Sequence, residues 1–279
     1  TTLTTDKVTA TTGSAVLKSN STLTTNGVIS AGQVASLTST QDTINANAFV
    51  TGAEVNMDAY KSLNTNVISA TDGDAKIISQ TGDLTTNGQV EASKNVNLEA
   101  TKGQVTTKAL TKAGENASIQ AGTSITTNGA VEAGKDANLT AKTSITTNSS
   151  VTAGQDANLN AGTTLTTNAA VKANNAILTA GTTLTTNGTV NADNNATLTA
   201  GTDLVANDTI TAGGEANLKA TAGSMQTKAE VKGASVSMDA NTTLTTDKVT
   251  ATTGSAVLKS NSTLTTNGVI SAGQVASLT

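Results

Sequence analysis

The chain has 279 residues, a formal net charge of −4, two aromatic residues, and no proline, cysteine, histidine or tryptophan. Its 16 cationic residues are all lysines scattered singly, which argues against a phosphate-binding stripe and against a nucleic-acid partner. No apolar run approaches the roughly 20 residues that cross a bilayer, so membrane insertion is not expected. The shortage of aromatic side chains argues against a broad globular core.

The most distinctive feature is an exact duplication. Residues 1–38 recur letter for letter as residues 242–279, so the large period is 241 residues. We therefore expect a piece of a longer tandem array, with one superperiod at 1–241 and the opening of the next at 242–279. The whole of 1–279 is predicted to be a single continuous repeat region.

A shorter repeat, with the motif TTLTTNGxVxAGxxAxLxA, recurs inside the large one every 19 to 21 residues. A fixed period of this size is typical of solenoids. Each repeat has one large apolar residue near its start and a second one 13 or 14 residues later. The predicted core ladder contains Leu3, Leu23, Leu84, Ile125, Ile145, Leu165, Leu184, Leu204, Leu139, Leu159, Leu198 and Leu218.

Within one repeat, three short stretches alternate between apolar and polar residues, as at Leu165 to Thr167 and at Val171 to Ala173. Period-two alternation in segments rich in Thr and Val predicts strands with one buried face. The segments between them contain Asn, Gly and Asp, which favour turns. The fold class is therefore all-β: a right-handed parallel β-helix with about 20 residues and three short strands per coil, and about 14 coils. A leucine-rich repeat is rejected because the large apolar residues are too sparse.

Differences in repeat length fall outside the predicted strands. A missing residue maps to the second turn and an extra residue to the third turn, as expected if the strands keep a fixed register. In three repeats the second strand is predicted to start one residue early, at Val8, Ile68 and Leu110.

One column of the predicted first turn is dominated by asparagine. Stacked amides can hydrogen-bond from coil to coil, and asparagine also tolerates the left-handed turn conformation. We interpret this column as a structural ladder rather than a ligand site. Its predicted members are Asn26, Asn87, Asn128, Asn148, Asn168, Asn187, Asn207 and Asn267.

The sequence predicts neither catalysis nor a cofactor. It has no His, Cys or Arg, and no nucleophile or phosphate-loop motif, so the protein is not expected to be an enzyme. No metal site is expected. The carboxylates nearest to such a site are Asp72, Asp74, Asp136 and Asp156, whose oxygens are of the type that Ca²⁺ prefers.

A second column carries outward Thr-x-Thr pairs, such as Thr164 with Thr166 and Thr183 with Thr185. A regular face of this kind is either a good strand-forming surface or a binding face for ice, glycans or another copy of the chain. Both interpretations remain open at this point. The binding module is the alternative to a purely structural role.

The repeat unit GTSITTNGAVEAGKDANLTA at 122–141 resembles the haemagglutinin repeats of filamentous haemagglutinin and related exoproteins. The resemblance covers nearly the whole chain. It implies a right-handed β-helix in a large adhesin or contact-dependent inhibition stalk, exported by the two-partner route to the surface of a Gram-negative bacterium. The implied function is a structural extracellular filament. The expected partners are further copies of the repeat, end-to-end or lateral neighbours, and a receptor bound through a tip outside this chain.

Overall fold

The computed structural model describes residues 1–279, which form strands and turns without any helix. The residues fall into two compact units, Thr1–Lys142 and Thr143–Thr279. Strands β1 to β21 lie in the first unit and β22 to β42 in the second, so each unit contains seven coils of three strands.

The strands of the first unit are three to six residues long and follow one another in the order first, second and third strand of each coil. They are Leu3–Thr5 (β1), Val8–Ala10 (β2), Ala15–Ser19 (β3), Leu23–Thr25 (β4), Ile29–Ala31 (β5), Val34–Ser39 (β6), Ile44–Ala46 (β7), Val50–Gly52 (β8), Glu54–Ala59 (β9), Leu63–Thr65 (β10), Ile68–Ala70 (β11), Ala75–Ser79 (β12), Leu84–Thr86 (β13), Val90–Ala92 (β14), Val96–Ala100 (β15), Val105–Thr107 (β16), Thr111–Ala113 (β17), Ala117–Ala121 (β18), Ile125–Thr127 (β19), Val131–Ala133 (β20) and Ala137–Ala141 (β21).

The strands of the second unit follow the same order. They are Ile145–Thr147 (β22), Val151–Ala153 (β23), Asp156–Ala161 (β24), Leu165–Thr167 (β25), Val171–Ala173 (β26), Asn175–Ala180 (β27), Leu184–Thr186 (β28), Val190–Ala192 (β29), Ala196–Ala200 (β30), Leu204–Ala206 (β31), Ile210–Ala212 (β32), Glu215–Ala220 (β33), Met225–Thr227 (β34), Val231–Gly233 (β35), Ser235–Ala240 (β36), Thr243–Thr246 (β37), Val249–Ala251 (β38), Ala256–Ser260 (β39), Thr263–Thr266 (β40), Ile270–Ala272 (β41) and Ala276–Leu278 (β42).

Each strand pairs in parallel with the equivalent strand of the neighbouring coil, and like residues face like residues. In the first unit, Leu63 is paired with Leu84, and Leu84 with Val105. In the second unit, Leu165 is paired with Leu184. The predicted fold class, a parallel β-solenoid with three short strands and about 20 residues per coil, is therefore confirmed. The right-handed winding stays a prediction.

Each coil buries the alternate residues of its three strands. In the coil that begins with β19 the buried residues are Ile125, Thr127, Val131, Ala133, Ala137, Leu139 and Ala141. Small alanines next to branched residues fill a narrow triangular interior, which explains how the chain folds with so few aromatic residues. Eleven of the twelve predicted core residues are buried. Leu3, in the first coil of its unit, is half-buried.

The coils differ in length where the sequence predicts that they should. In three coils the second turn is a single residue, Ala53, Asn174 or Ala234, and these are the coils of 19 residues. In the 21-residue coils, the segment that follows the third strand is lengthened, as between Ala100 and Val105. Turns change length while the core register is preserved, because a slip of one residue would expose the buried face.

The early second strands are confirmed at Val8 and Ile68, but the prediction for Leu110 is wrong. The strand begins at Thr111, which is fully buried, and Leu110 is only half-buried in the turn before it. An inward Leu110 would also have turned Lys112 into the core. Instead, Lys112 points outward and its Nζ lies 3.4 Å from a carboxylate oxygen of Glu91.

No residue of the structure has a positive φ angle, so the first-turn asparagines do not adopt the left-handed conformation that this residue type tolerates. The glycines of this turn are required by close packing between coils. A Cβ atom on Gly129 would lie 2.1 Å from the carbonyl carbon of Ala109, and one on Gly188 would lie 2.4 Å from that of Ala169. At these two positions a side chain would collide with the backbone of the preceding coil.

Candidate functional surfaces

The first-turn column forms a ladder of side-chain amides, which we call the first-turn ladder. In the second unit, the Nδ2 atoms of Asn168, Asn187 and Asn207 each donate to the Oδ1 atom of the preceding asparagine, at 2.7 Å in all three cases. Asn148 is the acceptor at the start of this series. Each amide between the ends gives one hydrogen bond and receives one, so the ladder connects successive coils outside the backbone sheets.

The same column is less regular in the first unit. Asn47 donates to Asn26 Oδ1 at 3.1 Å, but the amide of Asn66 turns to the backbone oxygen of Asn47 at 3.2 Å. The side chain of Asn87 is exposed and makes no hydrogen bond with a neighbouring amide. Asn128 is exposed in the first turn of its own coil.

Lysines interrupt the first-turn ladder because an ammonium group cannot accept a hydrogen bond. Lys108 follows Asn87 in the column, and Lys228 follows Asn207. The Oδ1 atom of Asn207 is buried without a hydrogen-bond partner, so the series of amide bonds ends at this residue. At the far end of the second unit, Asn267 donates to Asp247 Oδ1 at 3.3 Å.

A second ladder runs through the second turn, and it contains three of the four candidate aspartates. Asp74 Oδ1 accepts the backbone N–H and the side-chain amide of Asn95, at 3.0 and 2.9 Å. The backbone N–H of Asp136 donates to Asn116 Oδ1 at 3.2 Å. In the second unit, Asp156 Oδ1 accepts from Asn175 Nδ2 at 2.8 Å.

Sequence reasoning missed Asn175 as a member of this second-turn ladder. The one-residue turn of its coil displaces it from the expected alignment. The spacing to the core leucine identifies Asn175 as a member of this ladder: Asn175 lies three residues before Leu178, and Asp156 lies three residues before Leu159.

The fourth candidate carboxylate, Asp72, is exposed in the same turn as Asp74. Asp136 lies in the first unit and Asp156 in the second. No group of three or more Asp, Glu, His or Cys side chains is close enough to hold a metal ion. The carboxylates of Asp74 and Asp156 act as hydrogen-bond acceptors for the neighbouring coil.

The middle residues of the first strands point outward and form the Thr-rich face. In the first unit Thr85, Thr106 and Thr126 are in register on consecutive coils. In the second unit the face is interrupted where Val205 and Gln226 replace threonine. A groove of about 440 Å³ lies at this interruption. The regular part of the face is thus a flat row of hydroxyl and methyl groups.

A column of threonines also lies inside the core, at the third position of the first strands. These hydroxyls are buried, and most have no hydrogen-bond partner: Thr25, Thr65, Thr86, Thr107, Thr127, Thr147, Thr167 and Thr186. The alternation in the sequence predicts that the column faces inward. The missing partners follow from side-chain rotamers and local distances, which no sequence pattern reveals.

The two aromatic residues are both in the coil that begins with β7, and both are exposed. Phe49 is 37% exposed in the first turn and Tyr60 is 44% exposed after the third strand. Val28 and Val67, which occupy the equivalent position of Phe49 in the two adjacent coils, are also exposed. An apolar stripe of three residues therefore lies beside the first-turn ladder.

Ion pairs join neighbouring coils at a few surface positions. Lys61 Nζ lies 3.3 Å from Asp42 Oδ1, and its hydrogen bond is the main reason that the pKa of Asp42 is below its ordinary value. The pKa of Glu230 is lowered chiefly by the hydrogen bond from Thr250 Oγ1 at 2.7 Å, and also by Lys248, whose Nζ is 3.2 Å away. These contacts favour the ionised carboxylates.

None of the elements is a helix of the length and apolar character needed to cross a membrane. No protein-family model, no curated protein and no solved structure matches this chain. The resemblance to haemagglutinin repeats therefore rests on the repeat motif alone.

Proposed function

We propose that this chain is a structural, non-catalytic segment of an extracellular filament or stalk, and that it acts as a rigid spacer or matrix fibre. The observation that supports this proposal is the uniform pairing of each coil with its neighbours. Within each unit, three parallel strand ladders and the side-chain ladders of the turns connect successive coils. Nearest-neighbour interactions of this kind give a solenoid its resistance to bending and stretching.

The resemblance to haemagglutinin repeats adds the biological setting to the proposal. We infer a large repetitive adhesin or exoprotein that reaches the surface of a Gram-negative bacterium by two-partner secretion. Further copies of the repeat continue the filament in this proposal, and a receptor is bound by a tip outside this chain. End-to-end or lateral association between filaments is part of the same proposal.

Whole superperiods can be removed from the longer array to test the spacer role. Twelve coils fill the 241-residue period, and at about 4.8 Å per coil its deletion should shorten the filament by roughly 58 Å. Electron microscopy of cells would measure the projection of the tip. We expect a shorter reach with normal tip activity in a binding assay on purified protein. Unchanged reach and unchanged adhesion after such deletions would contradict the spacer role.

A matched control separates length from folding. Deletion of ten residues, about half a coil, puts every following strand out of register and should abolish the filament. Deletion of one whole coil should leave the filament intact. If both deletions behave alike, the coil is not the structural unit of the filament.

The alternative proposal is a binding module that uses the regular Thr-rich face. The specific observation in its favour is the register of Thr85, Thr106 and Thr126, which places chemically identical groups on consecutive coils. A thermal-hysteresis assay tests ice binding and a glycan array tests saccharide binding. Thr106→Lys should abolish either activity, because it puts a charge in the middle of the face. Wild-type chain that is inactive in both assays would count against this alternative.

A further inference from the structure

Five first-turn asparagines are followed directly by glycine: Asn26, Asn87, Asn128, Asn187 and Asn267. An asparagine before glycine can cyclise, because glycine has no side chain to shield its backbone nitrogen from the amide carbon. We propose that Asn87 in the first unit is a site of this modification, and that the first-turn ladder protects the equivalent Asn187 in the second unit.

The two sites have similar sequences but different contacts. Both asparagines are exposed and directly follow a first strand that ends in Thr-Thr. Asn187 Nδ2 donates to Asn168 Oδ1, and its Oδ1 accepts from Asn207 Nδ2, both at 2.7 Å. The backbone N–H of Gly188 also donates to the oxygen of Thr167 at 3.3 Å. The side chain of Asn87 has no such bond, so it is free to rotate towards Gly88.

The neighbouring coils explain why Asn87 is unprotected. On one side, the first turn is one residue shorter, and the amide of Asn66 is directed to the backbone oxygen of Asn47. On the other side the column continues with Lys108, because Thr86 is paired with Thr107. A lysine in this position has no planar amide to hold Asn87, and its ammonium group makes no hydrogen bond to Asn87 in the structure.

The reaction needs no group other than water. The backbone nitrogen of Gly88 loses its proton to solvent and attacks Cγ of Asn87. A new C–N bond forms, the Cγ–Nδ2 bond breaks, and ammonia leaves with a proton from water. Water then opens the resulting succinimide at either carbonyl and gives aspartate or isoaspartate. In total, asparagine and water become an acid and ammonia.

The surroundings tolerate the aspartate product. Aspartate occupies this column at Asp6 and Asp247, and Asp247 accepts a hydrogen bond from the amide of the next coil. An aspartate at position 87 would face Lys108, an opposite charge. The isoaspartate product adds one methylene to the backbone after Thr86, which is paired in register on both sides. It should therefore loosen the first turn locally.

Peptide mass spectrometry after incubation of the native chain at mildly alkaline pH tests the proposal. After cleavage at lysine, peptide 77–94 contains Asn87 as its single asparagine, so its conversion is unambiguous. Fragment ions locate the conversion at Asn187. We expect Asn87 to react about tenfold faster, equivalent to about 1.4 kcal/mol in activation free energy. In guanidinium chloride the two rates should become similar, because the ladder is lost.

Three substitutions act on the ladder without touching the reacting residues. Lys108→Asn supplies an amide that can donate to Asn87 Oδ1 and should slow the reaction at Asn87 severalfold. Lys108→Ala removes the charge without supplying an amide, so it should not give this protection. Asn207→Ala removes the donor to Asn187 Oδ1 and should accelerate the reaction at Asn187.

Several results would overturn the proposal. They are equal native rates at Asn87 and Asn187, a rate difference that persists in the denatured chain, and a Lys108→Asn variant that reacts as fast as the wild type. An absence of conversion at Asn87 under these conditions would also overturn it. Circular dichroism of each variant verifies that the native fold is present during the incubation.

Discussion

Thr227 and Thr246 lie on consecutive coils inside the core, and their hydroxyl oxygens are 2.7 Å apart. This pair is an exception in a column where eight other threonines bury a hydroxyl without a partner, as Thr107 does. A buried polar group that makes no hydrogen bond destabilises the folded state, whereas a satisfied pair does not. The column therefore contains two energetic classes of the same residue.

Replacement of these threonines by valine, which has nearly the same shape, should separate the two classes. We expect Thr107→Val to raise the free energy of unfolding by about 1 kcal/mol, because it removes an unpaired hydroxyl. Thr227→Val should lower it by about 1 to 3 kcal/mol, because Thr246 then loses its partner. Urea denaturation followed by circular dichroism measures both changes. Equal effects of the two substitutions would show that the hydroxyl pairing is irrelevant.

The first-turn ladder gives a second matched comparison. Asn187→Ala removes two side-chain hydrogen bonds, so we expect it to lower the free energy of unfolding by about 2 kcal/mol at roughly 1 kcal/mol per bond. Asn87→Ala removes no ladder bond and should change it by less than about 0.5 kcal/mol. Urea midpoints of the two variants test this difference. A large loss of stability in Asn87→Ala would mean that the side chain has a role outside the ladder.

The inward face of the third strand can be tested with one charge placed at two adjacent positions. Leu159 is 1% exposed in the core, and Asn160 is the next, outward residue. Leu159→Asp should unfold the adjoining coils, because a carboxylate would lose its hydration without gaining a partner. Asn160→Asp should melt within a few degrees of the wild type. Wild-type melting of Leu159→Asp would disprove the assigned orientation of the strand.

Acid should weaken the contacts of Glu230. Its pKa is held below the ordinary value of 4.5 by Thr250 and Lys248. A carboxyl group whose pKa is lower in the folded state contributes stability above the unfolded-state pKa, and this contribution is lost as the pH falls through the folded-state pKa. We expect Glu230→Gln to lower the free energy of unfolding near pH 7 by up to about 1 kcal/mol, and to have little effect in acid.

The measurement for Glu230 is a series of urea titrations from pH 7 down to acid. Glu132→Gln is the control, because Glu132 forms no ion pair in the structure. This control should lose less stability near pH 7 than Glu230→Gln does. A Glu230→Gln variant whose difference from the wild type is constant at every pH would contradict the electrostatic interpretation.

The core could be predicted from the sequence because period-two alternation determines which residues face inward. Leu23 and Leu84 were assigned from their spacing alone, and both are fully buried. Turn lengths were equally predictable, since the strands on either side of each turn keep a recognisable pattern. The apolar character of Leu110 favours an inward position, but Lys112 two residues later lies outward beside Glu91 and sets the register of the strand.

The side-chain contacts of the turns were harder to predict. Asn87 and Asn187 occupy the same position of the repeat. The side chain of Asn187 is hydrogen-bonded to the coils on both sides, whereas that of Asn87 is bonded to neither. The difference depends on the length of the adjacent turn and on Lys108, which belong to other coils. Interactions between coils of unequal length determine these contacts. A consensus repeat motif does not contain the differences in turn length and residue type between individual coils.

The invariance of the strand register also bears on how a gene for such a protein changes. The segments 1–38 and 242–279 are identical, and their strands have nearly the same bounds in the two units. Unequal crossing-over between in-frame duplicates exchanges segments whose edges already match, so the recombined product still stacks. The number of repeat segments can therefore change without any new packing arrangement between coils.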